Sequence, residues 1–235
     1  MVEHKAFSAA VVGCTGLVGK EILKTLLEIP VKPEVYAIAR RALPSDGSPK
    51  LKSKISIDTS TWTSYFKEMS PTPDAFFSGL GTTRGQAGSF VAQRAIDHDL
   101  NVELAKAAKD AGVKVYILIS SSGASASSLV PYTKMKGETE NAVKEMGFPY
   151  TIIVRPGLLV GDREDSRPAE SIVRGIAKGL GSLSKGLVDF WAQDGDVIGK
   201  ATVNAAMQCI EGKRPAGLWE IGQSDIIRLG RTEWK

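Results

Sequence analysis

Tyr132 and Lys136 stand four residues apart, one helical turn on the same face. A phenol and an ammonium so placed form a proton-transfer pair: the nearby cation lowers the tyrosine pKa from about 10, which fits the hydroxyl to hand a proton to a carbonyl oxygen while hydride reaches the carbon. The lysine would also hydrogen-bond a nicotinamide ribose. A serine at a neighbouring strand end would polarise the same oxygen, as oxyanion donors do. Ser120, Ser121 and Ser122 compete for that place; Ser121 is favoured and Ser122 comes second, because the group must emerge just past the apolar strand before it.

Such a pair needs a cofactor, and the start of the chain carries Gly13-Cys14-Thr15-Gly16-Leu17-Val18-Gly19. The apolar run Phe7 to Val12 enters this loop and an amphipathic pattern, Leu17 to Ile29, leaves it. Strand, glycine turn and helix in that order let backbone approach a pyrophosphate and aim the open N–H groups of the helix start at it. Gly13 is expected to make the tight turn, Gly16 the close approach and Gly19 the helix-to-strand packing. The next strand, Val35 to Ala39, ends in Arg40 and Arg41. A carboxylate there would hold a ribose 2′-hydroxyl; two arginines suit a 2′-phosphate and favour NADP(H), since the guanidinium fork donates two parallel hydrogen bonds to phosphate oxygens.

The elements that position these groups alternate. Expected strands are Ile55 to Asp58, Ala75 to Gly81, Val115 to Ile119, Tyr150 to Val154 and a last one, Leu218 to Ile221. Expected helices are Trp62 to Met69, Asp99 to Ala111 with Leu100, Leu104, Ala107 and Ala108 on one stripe, Tyr132 to Met146 closed by Gly147, Pro168 to Ala177, and a final long one, Asp196 to Ile210. Residues 43–49 and 162–167 read as surface loops. Strands apolar on both faces and alternating with helices give an α/β fold of Rossmann type, a doubly wound parallel sheet with helices on both faces. Every motif lies at the carboxyl end of a strand, where such folds bind ligands.

With 235 residues, 43% of them hydrophobic, the chain can bury one large core, and one domain is expected over 1–235, with a small substrate-facing part at about 158–235. No run approaches the roughly 20 apolar residues of a membrane span, and a first strand about six residues from Met1 leaves no room for a cleavable presequence. Two distant cysteines argue against a disulfide framework. The net charge of +4 suits an anionic ligand or a weak pull toward anionic membranes. No basic block with interleaved aromatics suggests nucleic acid. Asp97-His98-Asp99 reads as helix-start capping, with no metal site expected because no further ligands gather around the single histidine.

Several longer segments resemble a known family: Gly13 to Gly19, Ala39-Arg40-Arg41, Leu80 to Gly88 (Leu-Gly-Thr-Thr-Arg-Gly-Gln-Ala-Gly), Ile96 to Asn101, Ser120 to Ala124, Tyr132 to Glu138, and Arg155-Pro156-Gly157 through Asp162-Arg163. Together they are similar to atypical short-chain dehydrogenases, in the group of the human Tat-interacting oxidoreductase and the fungal found-in-mitochondrial-proteome oxidoreductases. The resemblance spans most of residues 7–167 and thins after about 168. It implies NADP(H) binding by Thr15, Gly16, Leu17, Arg40, Arg41, Leu80, Gly81, Tyr132, Lys136, Leu159 and Arg167, with Tyr132 as proton donor or acceptor. It also implies a peripheral place on the cytoplasmic side of the mitochondrial outer membrane. The expected activity is hydride transfer between NADPH and a small carbonyl or alcohol, with catalytic set Tyr132, Lys136 and Ser121. The alternative is an NADP(H)-binding adaptor with little turnover, since a fold and a cofactor site do not fix function. A protein partner, a homo-oligomer and the substrate's identity are left open by the sequence.

Overall fold

Runs such as Ala9–Val12, Val115–Ile119 and Ile152–Val154 have no exposed residue, and strands buried on both faces pair best in a parallel sheet covered by helices. The computed structural model, which describes residues 5–45, 47–160 and 192–234, has this arrangement. Its strands are β1 (Ser8–Val12), β2 (Glu34–Ala39), β3 (Leu51–Ile55), β4 (Ala75–Ser78), β5 (Val115–Ile119), β6 (Tyr150–Val154), β7 (Leu158–Val160), β8 (Ala192–Asp194) and β9 (Gly217–Ile221). Seven form one sheet in the order β3-β2-β1-β4-β5-β6-β9, every pair parallel. β7 and β8 pair separately, also in parallel. The order reverses between β1 and β4, which opens a crevice beyond their carboxyl ends.

Successive strand residues point to opposite faces, so each strand feeds two cores. Val11, Ala37, Phe77, Ile117 and Ile152 face α1 (Leu17–Glu28) and a later helix, Gly195–Ile210, in a largely aliphatic layer. Val12, Ile38, Phe76, Tyr116 and Ile153 face the other layer, where Trp62 and Phe66 of a 3₁₀ helix (Thr59–Glu68) meet Phe148. The rings of Phe66 and Phe76 pack edge to face at 5.1 Å between centroids, a favoured quadrupole arrangement.

Between β4 and β5 run α2 (Arg84–Ala87), α3 (Phe90–Arg94), a π turn (Ala95–Leu100) and α4 (Asn101–Asp110); α5 (Pro131–Glu145) follows β5. Gly195–Ile210 is α6, the last long helix among the described residues, and the short α7 (Gln223–Ile227) leads into a second π turn, Arg228–Thr232. Gly147, after α5, has φ +64°, the left-handed conformation a helix stop prefers.

The third strand lies earlier than the apolar pattern suggested. It is Leu51–Ile55, while Ile57 is 85% exposed and Asp58 caps the 3₁₀ helix by accepting the Ser60 N–H at 3.0 Å. An edge strand needs only one buried face and tolerates alternating lysines, which discourage pairing with another chain. Lys52 and Lys54 do this here, bonded to Glu34 and Glu68. β9, at the other edge, is likewise half exposed, so the two-sided apolar pattern holds only for the inner strands. The expected helix at 168–177 and the loop at 162–167 lie outside the described residues.

Candidate functional site

Gly13 leaves β1 with φ +80°, a conformation that only glycine adopts without strain. The Gly16 N–H bonds to the Gly13 carbonyl at 2.9 Å and closes the turn. Gly16 is then the N-cap of α1, with no side-chain cap and no acidic residue in the first turn. A side chain would normally absorb the N–H groups of a helix start; leaving them uncapped suits an anion. Thr15 and Gly16 are exposed at the mouth, while Leu17 and Val18 turn inward and Val18 joins the core.

Gly13 makes the tight turn, and Gly19 packs against the loop where a strand contact was expected. A Cβ on Gly19 would lie 2.1 Å from the Gly13 carbonyl oxygen, so Gly19 packs the helix onto the loop itself. A Cβ on Gly13 would lie 2.5 Å from the Gly79 carbonyl, and one on Gly79 would lie 3.2 Å from the Gly19 Cα. Gly13, Gly19 and Gly79 thus form a backbone-on-backbone contact that fixes the β1 and β4 exits together. Gly16, by contrast, is exposed, and a Cβ there would meet the Gly13 oxygen at 3.2 Å and the Gly79 oxygen at 4.0 Å. Arg40 and Arg41 follow β2 directly and are exposed.

The β4 exit carries Leu80, half buried, and Gly81, exposed. Three polar residues spaced four apart on one side of the α3–π–α4 helix grip this loop. The Gln93 amide donates to the Thr82 carbonyl at 3.2 Å, the Asp97 carboxylate accepts the Thr82 N–H at 2.6 Å, and the Asn101 amide donates to the Leu80 carbonyl at 3.4 Å. All three are at least 96% buried. Asn101 also donates to the Asp97 carbonyl at 3.1 Å and accepts from Ser78 at 2.5 Å. Asp97 therefore does not cap a helix start: the helix runs on through it as a π turn, and its carboxylate points inward. Composition around residue 97 hid this. The signal was present in the spacing Gln93, Asp97, Asn101, a polar stripe where an apolar one would be ordinary.

At the β5 exit the three serines separate. Ser120 is buried and donates to Glu140 at 2.5 Å. Ser121 is half buried and donates to the Ser122 carbonyl at 3.2 Å; Ser122 is exposed and accepts from Gln223 at 3.4 Å. Tyr132 stands at the second position of α5, after Pro131, and is 40% exposed. Lys136, one turn on, is only 3% exposed and donates to the Ile119 carbonyl at 3.1 Å. Burial pushes its pKa below the ordinary lysine value, opposed by the charges of Asp97 and Glu140. Burial pushes Asp97 upward, opposed by Lys136 and by the Thr82 N–H. Glu140 is held by the Arg155 guanidinium in a two-point contact at 2.9 and 2.5 Å, and Arg155 reaches on to Glu220 at 3.1 Å.

Leu159 lies in β7, and Arg167 lies outside the described residues. Gly195, at the start of α6, sits against the first turn of α1, where a Cβ would meet the Leu17 carbonyl at 3.2 Å. The β8–α6 junction therefore borders the glycine loop. Among the described residues no cluster of three or more histidine, cysteine or carboxylate side chains could hold a metal ion. No helix among them is long and apolar enough to cross a membrane.

Comparison with known proteins agrees with this geometry. A family model described as NAD(P)H-binding matches residues 13–185. The Aspergillus terreus protein named "fmp52-1, mitochondrial" is 52% identical over 229 residues, covering 95% of this chain and 99% of the relative. The Neurospora crassa protein named "fmp-52, mitochondrial" is 44% identical over 234 residues, covering 97% of each. Among solved structures, the enzyme WbmG of Bordetella bronchiseptica in complex with NAD superposes with a TM-score of 0.66 at 16% identity, over 94% of this chain and 74% of that one. A UDP-N-acetylglucosamine 4-epimerase from Methanobrevibacter ruminantium gives 0.67 at 16% identity, over 92% and 76%. At that identity these structures speak for the fold alone. Glycine loop, sheet order and sequence relatives lead to one conclusion: the chain belongs to the NAD(P)H-binding family, together with the fungal proteins named fmp52.

Proposed function

We propose that this protein is an NADPH-dependent oxidoreductase acting on a small carbonyl or alcohol, with Tyr132 as proton donor or acceptor. The observation that carries the reading is Lys136, a buried ammonium one turn from a half-exposed tyrosine beside the crevice at the sheet's carboxyl edge. The residues present fit a dinucleotide. An uncapped helix start faces solvent through Gly16, backbone alone lines the turn, and Arg40 and Arg41 leave the adjacent strand.

In this reading Gly13, Thr15, Gly16, Leu17, Val18 and Gly19 present backbone to the diphosphate, and Leu80, Gly81, Leu159 and Arg167 complete the cofactor site. Arg40 and Arg41 meet the 2′-phosphate. Bound NADPH supplies the hydride. Tyr132 delivers the proton to the substrate oxygen, Lys136 holds the tyrosine hydroxyl and the ribose, and Ser121 polarises the carbonyl. The substrate-facing role falls to the part at about 158–235, of which α6 and β9 belong to the core and the β7–β8 pair lies beyond the main sheet.

Titration with NADPH and with NADH tests the cofactor. Arg40→Ala/Arg41→Ala should weaken NADPH by at least about tenfold, near 1.4 kcal/mol, and leave NADH little changed. Equal binding of the two nucleotides by the unaltered protein would overturn the NADP(H) preference. Tyr132→Phe should keep nucleotide affinity and lower turnover by about 10²–10⁴. Tight NADPH binding without turnover of any carbonyl panel would move the reading to a nucleotide-responsive adaptor.

The names of the relatives support a mitochondrial location, and we place the protein peripherally on the outer membrane's cytoplasmic face. Protease added to intact mitochondria should then degrade it, and protection would rule that face out.

A further inference from the structure

We propose that Asp97 is the buried counter-ion of Lys136, a positioning residue that joins the loop leaving β4 to the helix carrying Tyr132. The inference rests on the reading of Lys136 as the ammonium of the site. A lysine removed from water needs charge compensation as well as hydrogen bonds. The Ile119 carbonyl supplies a dipole, not a charge.

Two carboxylates act on Lys136, and they differ in what else they hold. Glu140, on the same helix, is engaged by the Arg155 guanidinium at two points, by Ser120, and by Lys144 at 3.7 Å. Asp97, on the facing helix, has neutral partners in the Thr82 N–H and the Gln93 amide, and Lys136 is the cation that acts on it. Other polar groups where the two helices meet have partners of their own. Arg94 bonds Glu138 at 2.5 Å, and His98, 4.0 Å from Asp99, shares a 2.9 Å hydrogen bond with Thr139. Glu140 thus shares its charge with two other cations, while Asp97, buried with neutral partners, is the carboxylate left to balance the ammonium across the helix contact, without a direct ion-pair contact.

The backbone agrees. Thr139, three residues after Lys136, donates to the Asp97 carbonyl at 3.4 Å, so the two helices meet at this level. A Cβ on Gly81 would stand 3.7 and 3.8 Å from the two Asp97 oxygens, which places the carboxylate directly beneath a loop proposed to hold the nucleotide. The π turn carries Asp97, and single π turns recur where a helix must aim a side chain at a site. One carboxylate thus fixes the loop through its N–H and the lysine through its charge.

The test is direct titration of the Lys136 side chain by NMR of its Cε and Nζ, assigned with Lys136→Met. In the unaltered protein the lysine should stay charged through neutral pH. In Asp97→Asn, which keeps an oxygen for the Thr82 N–H, the midpoint should fall by at least about one pH unit, a tenfold loss of proton affinity. NADPH affinity should follow: flat from about pH 6.5 to 8.5 in the parent, and falling with pH in Asp97→Asn. Asp97→Glu should restore most of the profile. A folded Asp97→Asn with an unshifted lysine midpoint would reduce Asp97 to a loop anchor and overturn the inference. If that variant does not fold, the Asp97 Cγ resonance of the parent decides, since it must inflect at the Lys136 midpoint and a flat trace overturns the pairing. A protein that binds neither nucleotide defeats the functional reading alone, because the side-chain titration still reports on the pair.

Discussion

The two sides of the crevice are built from opposite materials. On the glycine-loop side, Gly13, Gly19 and Gly79 meet as bare backbone, and the side chains of Cys14 and Val18 within the loop turn into the core. On the α5 side, Lys136, Asp97 and Glu140 are each at least 97% buried, each hydrogen-bonded to its own partners, and both carboxylates act on the lysine through charge. A backbone contact tolerates no added volume and is indifferent to pH. A buried charge pair tolerates volume-conserving change but responds to any loss of balance. The difference teaches where each side can be broken: one by a methyl group, the other by a proton.

The largest expected effect lies on the charged side. Lys136→Met leaves the Asp97 carboxylate buried without its cation and should cost about 3–5 kcal/mol at neutral pH. Asp97→Asn should cost a comparable amount, and the double variant much less than the sum, because the two charges leave together. The pH dependence has opposite signs. Asp97 has a folded-state pKa above its unfolded value, so the folded state binds more protons in the window between them and stability falls as pH rises through it. Removing Lys136 raises the folded value further, so Lys136→Met should come nearest to the parent in acid. Lys136 has a depressed folded value, so in its window the unfolded state binds more protons and stability rises with pH. Asp97→Asn should come nearest to the parent in alkali. Urea melts across pH decide it; parallel deficits would mean that the two groups are not coupled.

What the sequence revealed follows the same division. The glycine loop, the inner strands and the Tyr132–Lys136 turn were legible because each is a short-range pattern: a spacing, an alternation, a helical period. Val115–Ile119 and Tyr150–Val154 have the expected bounds, since an uninterrupted apolar run admits few alternatives. β3 was misplaced because an edge strand with Lys52 and Lys54 does not look apolar, whereas Ile55 and Ile57 do. Asp97 was misread for a different reason. A π turn is invisible to helical periodicity, and a carboxylate near an expected helix start has a cheaper local explanation in capping. Its real partners, Thr82 and Lys136, lie 15 and 39 residues away, and only the fold brings them to it.

A smaller effect separates two glycines of the loop. Gly19→Ala would put a methyl 2.1 Å from the Gly13 carbonyl oxygen, with backbone on both sides and nothing flexible to yield. A stability loss of about 3 kcal/mol is expected, the upper range of overpacking. Gly16→Ala meets the same oxygen at 3.2 Å on an exposed turn, so it should cost within about 1 kcal/mol. Its methyl would occupy the space proposed for phosphate, so NADPH affinity should still fall. If Gly16→Ala bound NADPH as the parent does, the close-approach role would pass to another residue.

The smallest effect is expected at Cys14, and it sharpens the claim that the loop offers backbone alone. Its position between Gly13 and Thr15 suggests a thiol at the mouth, yet it is 3% exposed and its sulfhydryl donates to the Val11 carbonyl at 3.5 Å. Burial pushes its pKa up to about 12, so at pH 8 the thiolate that reacts with alkylating agents is scarce as well as shielded. Native-state labelling should therefore run at the rate of unfolding, no faster than at Cys209, whose burial likewise lifts its pKa, to about 11. Cys14→Ala should lower stability by about 1 kcal/mol through lost packing and leave NADPH affinity within about twofold. Rapid labelling of Cys14 that NADPH suppresses would place the sulfur in the nucleotide site and end the contrast between a backbone side and a charged side.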